Sequence, residues 1–134
     1  MTPDFELAIA GMRDIAQWFV WKLTWDAAEG KYQKVPFNGY DKISAKDSAN
    51  WLSYDVALSR VRDWRTVEQE QGITYALGFW LTSECGYWLL DIDKARTPTG
   101  QWVQFATQLV DAFPGAMVEA SSSGKGLHVI GRGV

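Results

Sequence analysis

The sequence predicts an α+β fold with a mainly antiparallel sheet flanked by helices. Two patterns support this prediction: segments with apolar residues at helical spacing alternate with short aromatic-rich segments, and several of the short segments are separated by tight links. Short links favour antiparallel pairing, because a parallel pair needs a long crossover connection. The chain of 134 residues has the size of one domain, so we expect a single domain over residues 1–134.

The first part of the chain predicts a helix followed by two strands. Residues 2–4 are Thr-Pro-Asp, a sequence typical of a helix N-terminus, and apolar residues at helical spacing continue to position 16. Residues 18–25 are rich in aromatic side chains and predict a strand. A turn at residues 29–31 leads to a short extended segment at 34–38, in which Pro36 predicts an edge strand or a chain leaving the sheet.

The remainder of the chain predicts two further helices and two pairs of strands. A helix begins near Ser53 and continues to residue 64, where its apolar stripe would cover a sheet face. Another helix occupies residues 102–113 and ends at Pro114 and Gly115. The predicted strands of this part occupy residues 73–82, 86–94, 116–120 and 127–130. Because a tight link at residues 83–86 separates the first two strands, we expect them to form an antiparallel hairpin.

Two aspartates, Asp91 and Asp93, end the apolar run that begins at Gly86. Such a run predicts a buried strand that carries acids at its exit, and both carboxylates would point the same way because alternate residues of a strand share a face. Two negative charges this close repel each other unless a cation lies between them, so the pair indicates a hard divalent metal, Mg²⁺ or Mn²⁺. The alternative is a strand end whose acids cap a turn or the following helix.

A second group of polar residues lies at positions 119–128, with the sequence Glu-Ala-Ser-Ser-Ser-Gly-Lys-Gly-Leu-His. Glycines allow backbone N–H groups to turn toward an anion, serines and Lys125 add donors, and His128 on the next strand could contact a phosphate oxygen. The residue order is not that of a Walker loop. The alternative is a flexible hairpin loop with His128 half-buried. Together with the acid pair, the loop indicates metal-bound phosphate chemistry.

Charge is unevenly distributed along the sequence. The net charge of −3 and the isoelectric point near 5.1 argue against a protein that coats nucleic acid nonspecifically, because such binding needs a positive surface. Residues 31–46 nevertheless carry four lysines against one aspartate. Lys34 and its neighbouring lysines could contact phosphates, or they could belong to a solvated loop.

Cysteine content and the first residues indicate the compartment. Cys85 is the single cysteine, which excludes an internal disulfide and a zinc cluster of cysteines. The first residues lack the pattern of a signal or transit peptide, and no apolar run approaches membrane-spanning length. We therefore expect a cytoplasmic protein without membrane contact.

Two motifs of this chain resemble the first and second motifs of the archaeo-eukaryotic primase superfamily. They are Leu-Leu-Asp91-Ile-Asp93 and Glu119-x-Ser121-x-Ser123-Gly124-x-Gly126-Leu-His128. More narrowly, the chain is similar to the primase-polymerase domains at the N-terminus of phage and plasmid replication proteins. Further similar segments lie upstream, at residues 18–22, 31–38, 51–58 and 77–79, so the resemblance covers nearly the whole chain.

This resemblance implies a primase-polymerase catalytic core with an RRM-like unit, in which a 3′-hydroxyl attacks the α-phosphate of a nucleotide on a single-stranded DNA template. Asp91 and Asp93 would bind the Mg²⁺ or Mn²⁺ ions that hold the incoming nucleoside triphosphate. Lys34 would contact the template or primer backbone, and a helicase domain or protein is a further implied partner. The residues implied to hold the triphosphate are Ser121, Ser123, Gly124, Lys125, Gly126 and His128.

The sequence departs from the superfamily at the third acidic motif, which its members carry on a strand after the histidine. Here no acid follows Glu119. We therefore expect the chain to be either a fragment of a longer replication protein or a natural short form. On this interpretation the metal site lacks a ligand, so the isolated chain binds nucleotide and metal weakly and is poor or inactive as a polymerase.

Three other functions are compatible with parts of the sequence. The first is a nonenzymatic nucleotide-binding or single-strand-binding module, in which aromatic residues such as Trp25, Tyr32 or Phe37 stack on bases. The second is a phosphatase of the haloacid-dehalogenase type, but Ala95 stands where that site needs Thr or Val, and the predicted strands are antiparallel. The third is an interaction protein whose eight tryptophans form an interface.

Overall fold

The described residues form six strands in two separate antiparallel sheets. The computed structural model describes residues 10–68, 72–113, 116–121 and 124–132. Short 3-10 helices occupy Gly11–Asp14 and Ser48–Asn50. The strands are β1 (Trp18–Asp26), β2 (Lys31–Phe37), β3 (Ile73–Phe79), β4 (Tyr87–Ile92), β5 (Met117–Ala120) and β6 (Leu127–Arg132), and the α-helices are α1 (Tyr54–Glu68) and α2 (Gln104–Ala112).

The chain divides into two compact units, each with one sheet. The first unit is Arg13–Trp80, and the second combines Met1–Met12 with Leu81–Val134. The strands of both units pair antiparallel, and helices accompany both sheets, which confirms the predicted α+β class. The single sheet that the sequence predicts is wrong, because the described strands form two sheets. Within the described residues, no helix has the length and apolar character needed to cross a bilayer.

In the first unit, β1 is the central strand and pairs with β2 and β3. Its aromatic sequence suits this position, because large aromatic side chains pack well on a pleated surface. β2 is an edge strand, as Pro36 predicts, since proline cannot donate a hydrogen bond within a sheet. Alternation along β1 places Trp18 and Val20 on one face, and Phe19 and Trp21 on the other.

Helix α1 covers the face of this sheet that carries Trp18. It begins directly after Ser53, close to the predicted position, and the Ser53 hydroxyl oxygen accepts a hydrogen bond from the Val56 N–H group at 3.3 Å. Ala57 is fully buried on its inner side. The Trp18 ring meets the Tyr54 ring edge-on, with centroids 5.0 Å apart. Each large apolar side chain removed from water in this interface stabilises the fold by about 1.5–3 kcal/mol.

In the second unit, β6 is the central strand and pairs with β4 and β5. Ile92, Leu127 and Val129 lie on one face of this sheet and form a buried cluster with Ala106 of α2. Partly buried apolar residues complete the cluster: Trp88, Leu90, Trp102, Val103, Leu109, Val110, Ala116 and Val118. The opposite face is covered less completely, because Leu89 of β4 is 43% exposed.

In each sheet an aromatic ring packs against a glycine on the neighbouring strand. Gly131 of β6 pairs with Trp88 of β4, and a Cβ atom at position 131 would overlap the indole ring. Gly78 of β3 pairs with Phe19 of β1, and a Cβ atom at position 78 would lie 2.5 Å from the phenyl ring. The absence of a side chain at these two positions therefore sets how closely each ring approaches the next strand.

Two predictions about the strands are wrong. The strands predicted at residues 73–82 and 86–94 do not form a hairpin, because β3 pairs with β1 and β4 pairs with β6. Each of them pairs along its whole length with a strand distant in sequence, and a short link does not reveal such a partner. β4 is also not a fully buried strand, since it lies at a sheet edge and exposes Leu89.

The helix boundaries differ from the predictions at two places. The predicted first helix falls mostly outside the described residues, and its last described part forms the 3-10 helix Gly11–Asp14. The helix predicted at residues 102–113 begins at Gln104, because Trp102 instead forms an isolated β-bridge with Arg96. Arg96 and Trp102 are therefore held opposite each other in the segment before the helix starts.

Candidate functional site

A row of three titratable side chains crosses the β4–β6–β5 sheet. Asp91 of β4 is directly opposite His128 of β6, and His128 is directly opposite Glu119 of β5. The His128 Nδ1 atom lies 3.1 Å from Glu119 Oε1, and its Nε2 atom lies 3.5 Å from Asp91 Oδ1. The pairing register produces this row, because directly opposite residues of neighbouring strands share a face at short distance.

The imidazole of His128 is held between two carboxylates. An ionised carboxylate accepts hydrogen bonds and donates none, so the Glu119 contact requires a hydrogen on Nδ1. A protonated imidazolium can donate from Nδ1 to Glu119 and from Nε2 to Asp91 at the same time. The side chains of Asp91 and Glu119 are about half exposed and that of His128 is 21% exposed. A ligand can therefore reach the row from solvent.

Burial alternates along the chain at the acid pair. Asp91 and Asp93 are exposed, while Ile92 between them is buried in the apolar cluster under α2. This alternation agrees with two carboxylates on the same side of the chain. Asp93 lies just beyond the end of β4, at the point where the chain leaves the sheet.

The acid pair offers oxygen ligands of the kind that Mg²⁺ and Mn²⁺ prefer. Within the described ranges, no group of three or more His, Cys, Asp or Glu side chains is arranged to hold a metal ion by itself. Magnesium is commonly bound by one or two carboxylates together with substrate phosphates and water. Asp91 and Asp93 fit this second kind of site, in which phosphate completes the coordination.

The loop between β5 and β6 lies beside the end of β4. The Ala95 N–H group donates to the Lys125 carbonyl at 2.7 Å, which ties the segment after β4 to the loop. Within the loop, the Gly126 N–H group donates to the Ser121 hydroxyl oxygen at 2.9 Å, and the Gly124 N–H group donates to the Ser121 carbonyl at 2.8 Å. These two N–H groups therefore stabilise the loop itself and are not directed at an anion in this structure.

Glycine is required at two positions of this loop. Gly124 has a φ angle of +75°, in the left-handed region that side chains rarely adopt. A Cβ atom at position 126 would lie 2.9 Å from Ser121 Oγ and 3.1 Å from the Ile92 carbonyl oxygen. The glycines thus allow the loop to approach the end of β4 closely. Lys125 is exposed, and the predicted site residue Ser123 lies outside the described residues.

Arg96 holds the loop and is not among the site residues that the sequence predicts. Its Nε atom donates to the Gly124 carbonyl at 2.6 Å, and its Nη1 atom donates to the Gly100 carbonyl at 2.7 Å. The guanidinium carbon lies 3.7 Å from the Trp102 ring centroid, a cation–π contact. Arg96 therefore places a permanent positive charge at the loop. Its partner Gly124 is 28 residues away, so no local pattern identifies it.

Glu119 is the first residue of the motif at positions 119–128, but the sequence analysis does not predict that it contacts His128. The signal that could have found it is the register of the β5–β6 hairpin. Ala120 pairs with Leu127 across the loop, and this pairing places Glu119 opposite His128. In an antiparallel hairpin, once one pair across the loop is known, the next pair follows.

Lys34, the predicted nucleic-acid contact, lies on β2 in the first unit. Its Nζ atom is 4.7 Å from the Trp21 ring centroid. Asp91, His128 and the loop all belong to the second unit. Lys34 therefore belongs to the β2–β1–β3 sheet and not to the Asp91–His128–Glu119 row.

The candidate site consists of the Asp91–His128–Glu119 row, the exposed Asp93 and the loop that Arg96 holds. No protein-family model matches the sequence, and no curated protein matches it significantly.

Proposed function

We propose that the chain is a primase-polymerase-like nucleotidyltransferase domain of a phage or plasmid replication protein. It binds a nucleoside triphosphate with Mg²⁺ or Mn²⁺ and adds nucleotides on a single-stranded DNA template, in the cytoplasm and with a helicase domain or protein as partner. A 3′-hydroxyl attacks the α-phosphate, a new P–O bond forms, and pyrophosphate and a proton are released. The proposal assigns the fold to the primase-polymerase core with its RRM-like unit.

One observation carries the proposal: Asp91 and His128 are directly opposite on neighbouring strands, beside a loop of serine, glycine and lysine. A triphosphate requires a metal held by carboxylates and also donors for its own oxygens. In this proposal Asp91 and Asp93 supply the carboxylates and His128 and Lys125 supply the donors, and the Ala95–Lys125 hydrogen bond joins the segment after the acid pair to the loop. The resemblance of the two motifs to the primase superfamily supports the same function.

The residues of the site take separate roles in this proposal. Asp91 and Asp93 would hold the metal ion, which when bound would supply activation of the hydroxyl and neutralisation of charge on the leaving pyrophosphate. The His128 imidazolium donates to a phosphate oxygen, and Glu119 orients its ring through Nδ1. Lys125 adds a positive charge from the exposed part of the loop.

The proposal includes weak or absent polymerase activity in the isolated chain. Within the described residues, no three His, Cys, Asp or Glu side chains are arranged to hold a metal ion, so phosphate and water must supply most of the coordination. Such a site binds the metal together with the nucleotide and poorly without it. Robust primer synthesis by the purified chain would contradict this part of the proposal.

Calorimetric titration of a deoxynucleoside triphosphate with Mn²⁺ tests the site. We expect metal-dependent binding that Asp91→Asn/Asp93→Asn abolishes and His128→Ala weakens. The matched control is Glu84→Gln/Asp111→Asn, which removes two negative charges from exposed positions of the same unit. The proposal is wrong if the folded wild-type chain binds no nucleotide, or if the control variant loses as much affinity as the site variant.

A further inference from the structure

The face of the β2–β1–β3 sheet opposite α1 carries a second group of notable side chains. Helix α1 packs on the sheet face that carries Trp18. On the other face Phe19 and Leu23 are buried, and beside them lie four residues that we call the aromatic patch: Trp21, Trp25, Tyr32 and Lys34. Trp25 is 48% exposed and Tyr32 is 38% exposed. Adjacent exposed aromatic rings on one face are typical of an interaction surface.

The rings of the aromatic patch are held by two cross-strand contacts. Trp25 is directly opposite Tyr32, and their rings meet edge to face with centroids 5.2 Å apart and an interplanar angle of 68°. The Lys34 Nζ atom lies 4.7 Å from the Trp21 ring centroid. These contacts orient the rings before any ligand binds, which lowers the entropic cost of binding.

The charge that the strands place on the face of the aromatic patch is positive. Lys34 is the one charged side chain that the described strands β1, β2 and β3 direct to it. Asp26, at the end of β1, lies on the opposite face, and its carboxylate accepts hydrogen bonds from the Ala28 and Glu29 N–H groups and from Gln33 Nε2. An anion can therefore approach the patch without repulsion from a carboxylate of this sheet face.

Phe37 does not belong to the aromatic patch, although the sequence makes it a stacking candidate. Its ring lies on the α1 side of the sheet, 5.9 Å from the Trp64 ring of α1 and 6.2 Å from the Tyr75 ring. Of the three stacking candidates, Trp25 and Tyr32 are therefore the two that remain available to a base.

We propose that the aromatic patch binds single-stranded nucleic acid, with bases stacked on Trp25 and Tyr32 and a backbone phosphate paired with Lys34. Flat rings beside a cation suit a ligand that alternates flat bases with negative phosphates. A duplex suits the patch less, because its bases are already stacked and present only their edges in the grooves. Binding needs neither metal nor nucleotide, so this surface does not depend on the proposed nucleotidyltransferase site.

Fluorescence anisotropy with a labelled oligothymidylate, titrated with the full chain in EDTA, tests the patch. We expect saturable binding that Trp25→Leu/Tyr32→Leu weakens about tenfold or more, because each base stacked on an aromatic ring contributes strongly to affinity. Trp25→Phe/Tyr32→Phe keeps both rings and should retain most of the affinity. Lys34→Gln should reduce the slope of log K against log salt by about 0.7, the value for one phosphate contact on a single strand.

The matched control is Trp80→Leu, which removes a tryptophan of 38% exposure from the same unit and should leave the affinity unchanged. Circular dichroism shows whether each variant is folded. The proposal is overturned if the folded wild-type chain does not bind, or if the double leucine variant binds as tightly as the wild type. It is also overturned if Trp80→Leu weakens binding equally, or if sedimentation shows that the patch instead joins two copies of the chain.

Discussion

The two sheets share an architecture and differ in the chemistry of one face. Each is a three-stranded antiparallel sheet with a helix packed on one side and an aromatic ring seated against a glycine. Opposite the helix, the β4–β6–β5 sheet carries the Asp91–His128–Glu119 row, whereas the β2–β1–β3 sheet carries the aromatic patch. The comparison teaches that similar backbone scaffolds can carry different side chains opposite the helix, and these side chains are the basis of the two ligands that we propose.

The side chains of the two faces are also held by different forces. His128 is held by contacts with carboxylates, whose strength depends on charge and on any bound cation. Trp25 and Tyr32 are held by ring contacts, which do not depend on protonation. We therefore expect the first face to respond to metal and the second to respond to salt alone.

The largest effect is expected from a crossed experiment on the two faces. Asp91→Asn/Asp93→Asn should weaken nucleotide binding at least about 100-fold, because even residues that support metal ligands cost about 10–100-fold when removed. It should leave oligonucleotide binding in EDTA unchanged. Trp25→Leu/Tyr32→Leu should show the reverse pattern. Calorimetry and anisotropy measure the two affinities, and a folded variant that loses both would contradict the independence of the faces.

A smaller effect, on stability, is expected from replacing the two glycines, Gly131 and Gly78, that lie against aromatic rings. Gly131→Ala should lower the free energy of unfolding by about 1–3 kcal/mol, because the new methyl group overlaps the Trp88 ring. Gly78→Ala should cost a similar amount against Phe19. Urea denaturation measures both. In a Trp88→Leu background the cost of Gly131→Ala should shrink, and an unchanged cost would show that the ring is not the cause.

A loss of nucleotide affinity is also expected when the hydrogen bonds from Arg96 to the β5–β6 loop are removed. Arg96→Lys removes the forked hydrogen bonds to the Gly124 and Gly100 carbonyls and should weaken nucleotide binding about tenfold, since lysine cannot reproduce that geometry. The Gly126 amide should exchange its hydrogen faster, which nuclear magnetic resonance can measure. Arg62→Lys on the exposed side of α1 is the control and should change neither quantity. If nucleotide affinity and hydrogen exchange are both unchanged in Arg96→Lys, the Arg96 hydrogen bonds do not hold the loop in its binding conformation.

The smallest effect concerns Asp26 in the turn between β1 and β2. Hydrogen bonds from the Glu29 N–H group, the Gln33 side chain and the Ala28 N–H group, with the charge of Lys31, hold the pKa of Asp26 below its ordinary value of 3.8. A carboxylate with a lowered pKa stabilises the fold above its ordinary pKa, and this contribution is lost as pH falls through the lowered value.

Thermal unfolding followed by circular dichroism checks this pH dependence. On acidification from neutral pH to below 3.8, the wild type should lose slightly more stability than Asp26→Asn, which carries no charge at either pH. The matched control is Asp55→Asn on exposed α1. Equal losses in the wild type and in Asp26→Asn would show that the turn carboxylate contributes nothing.

Local patterns were sufficient to predict most of the secondary structure. The aromatic run at residues 18–25 corresponds to β1, Ser53 begins α1, and the strand candidates at 116–120 and 127–130 correspond to β5 and β6. Alternation, caps and turn residues act between neighbours in sequence, so they can be recognised without the fold. The predicted hairpin between residues 73–82 and 86–94 is wrong because strand pairing depends on partners far along the chain.

The sequence predicted several residues of the candidate site, but it did not predict which of them contact each other. The acid pair Asp91 and Asp93 and the glycine-rich loop with His128 stand out in the sequence because their residue types suit metal and phosphate chemistry. The neighbours that complete the site were not predictable in the same way. Arg96 reaches a loop carbonyl 28 residues away, and such a contact leaves no mark in local sequence.

The sequence by itself determined where helices and strands form and which polar residues are available for chemistry, because these properties depend on side-chain type and short-range spacing. The tertiary structure decided that Asp91 lies opposite His128 and that Trp25 and Tyr32 stay exposed while Phe37 packs under α1. It also decided that the strands form two sheets. The physical reason is that register and burial depend on contacts between distant segments, which form only when the whole chain is packed.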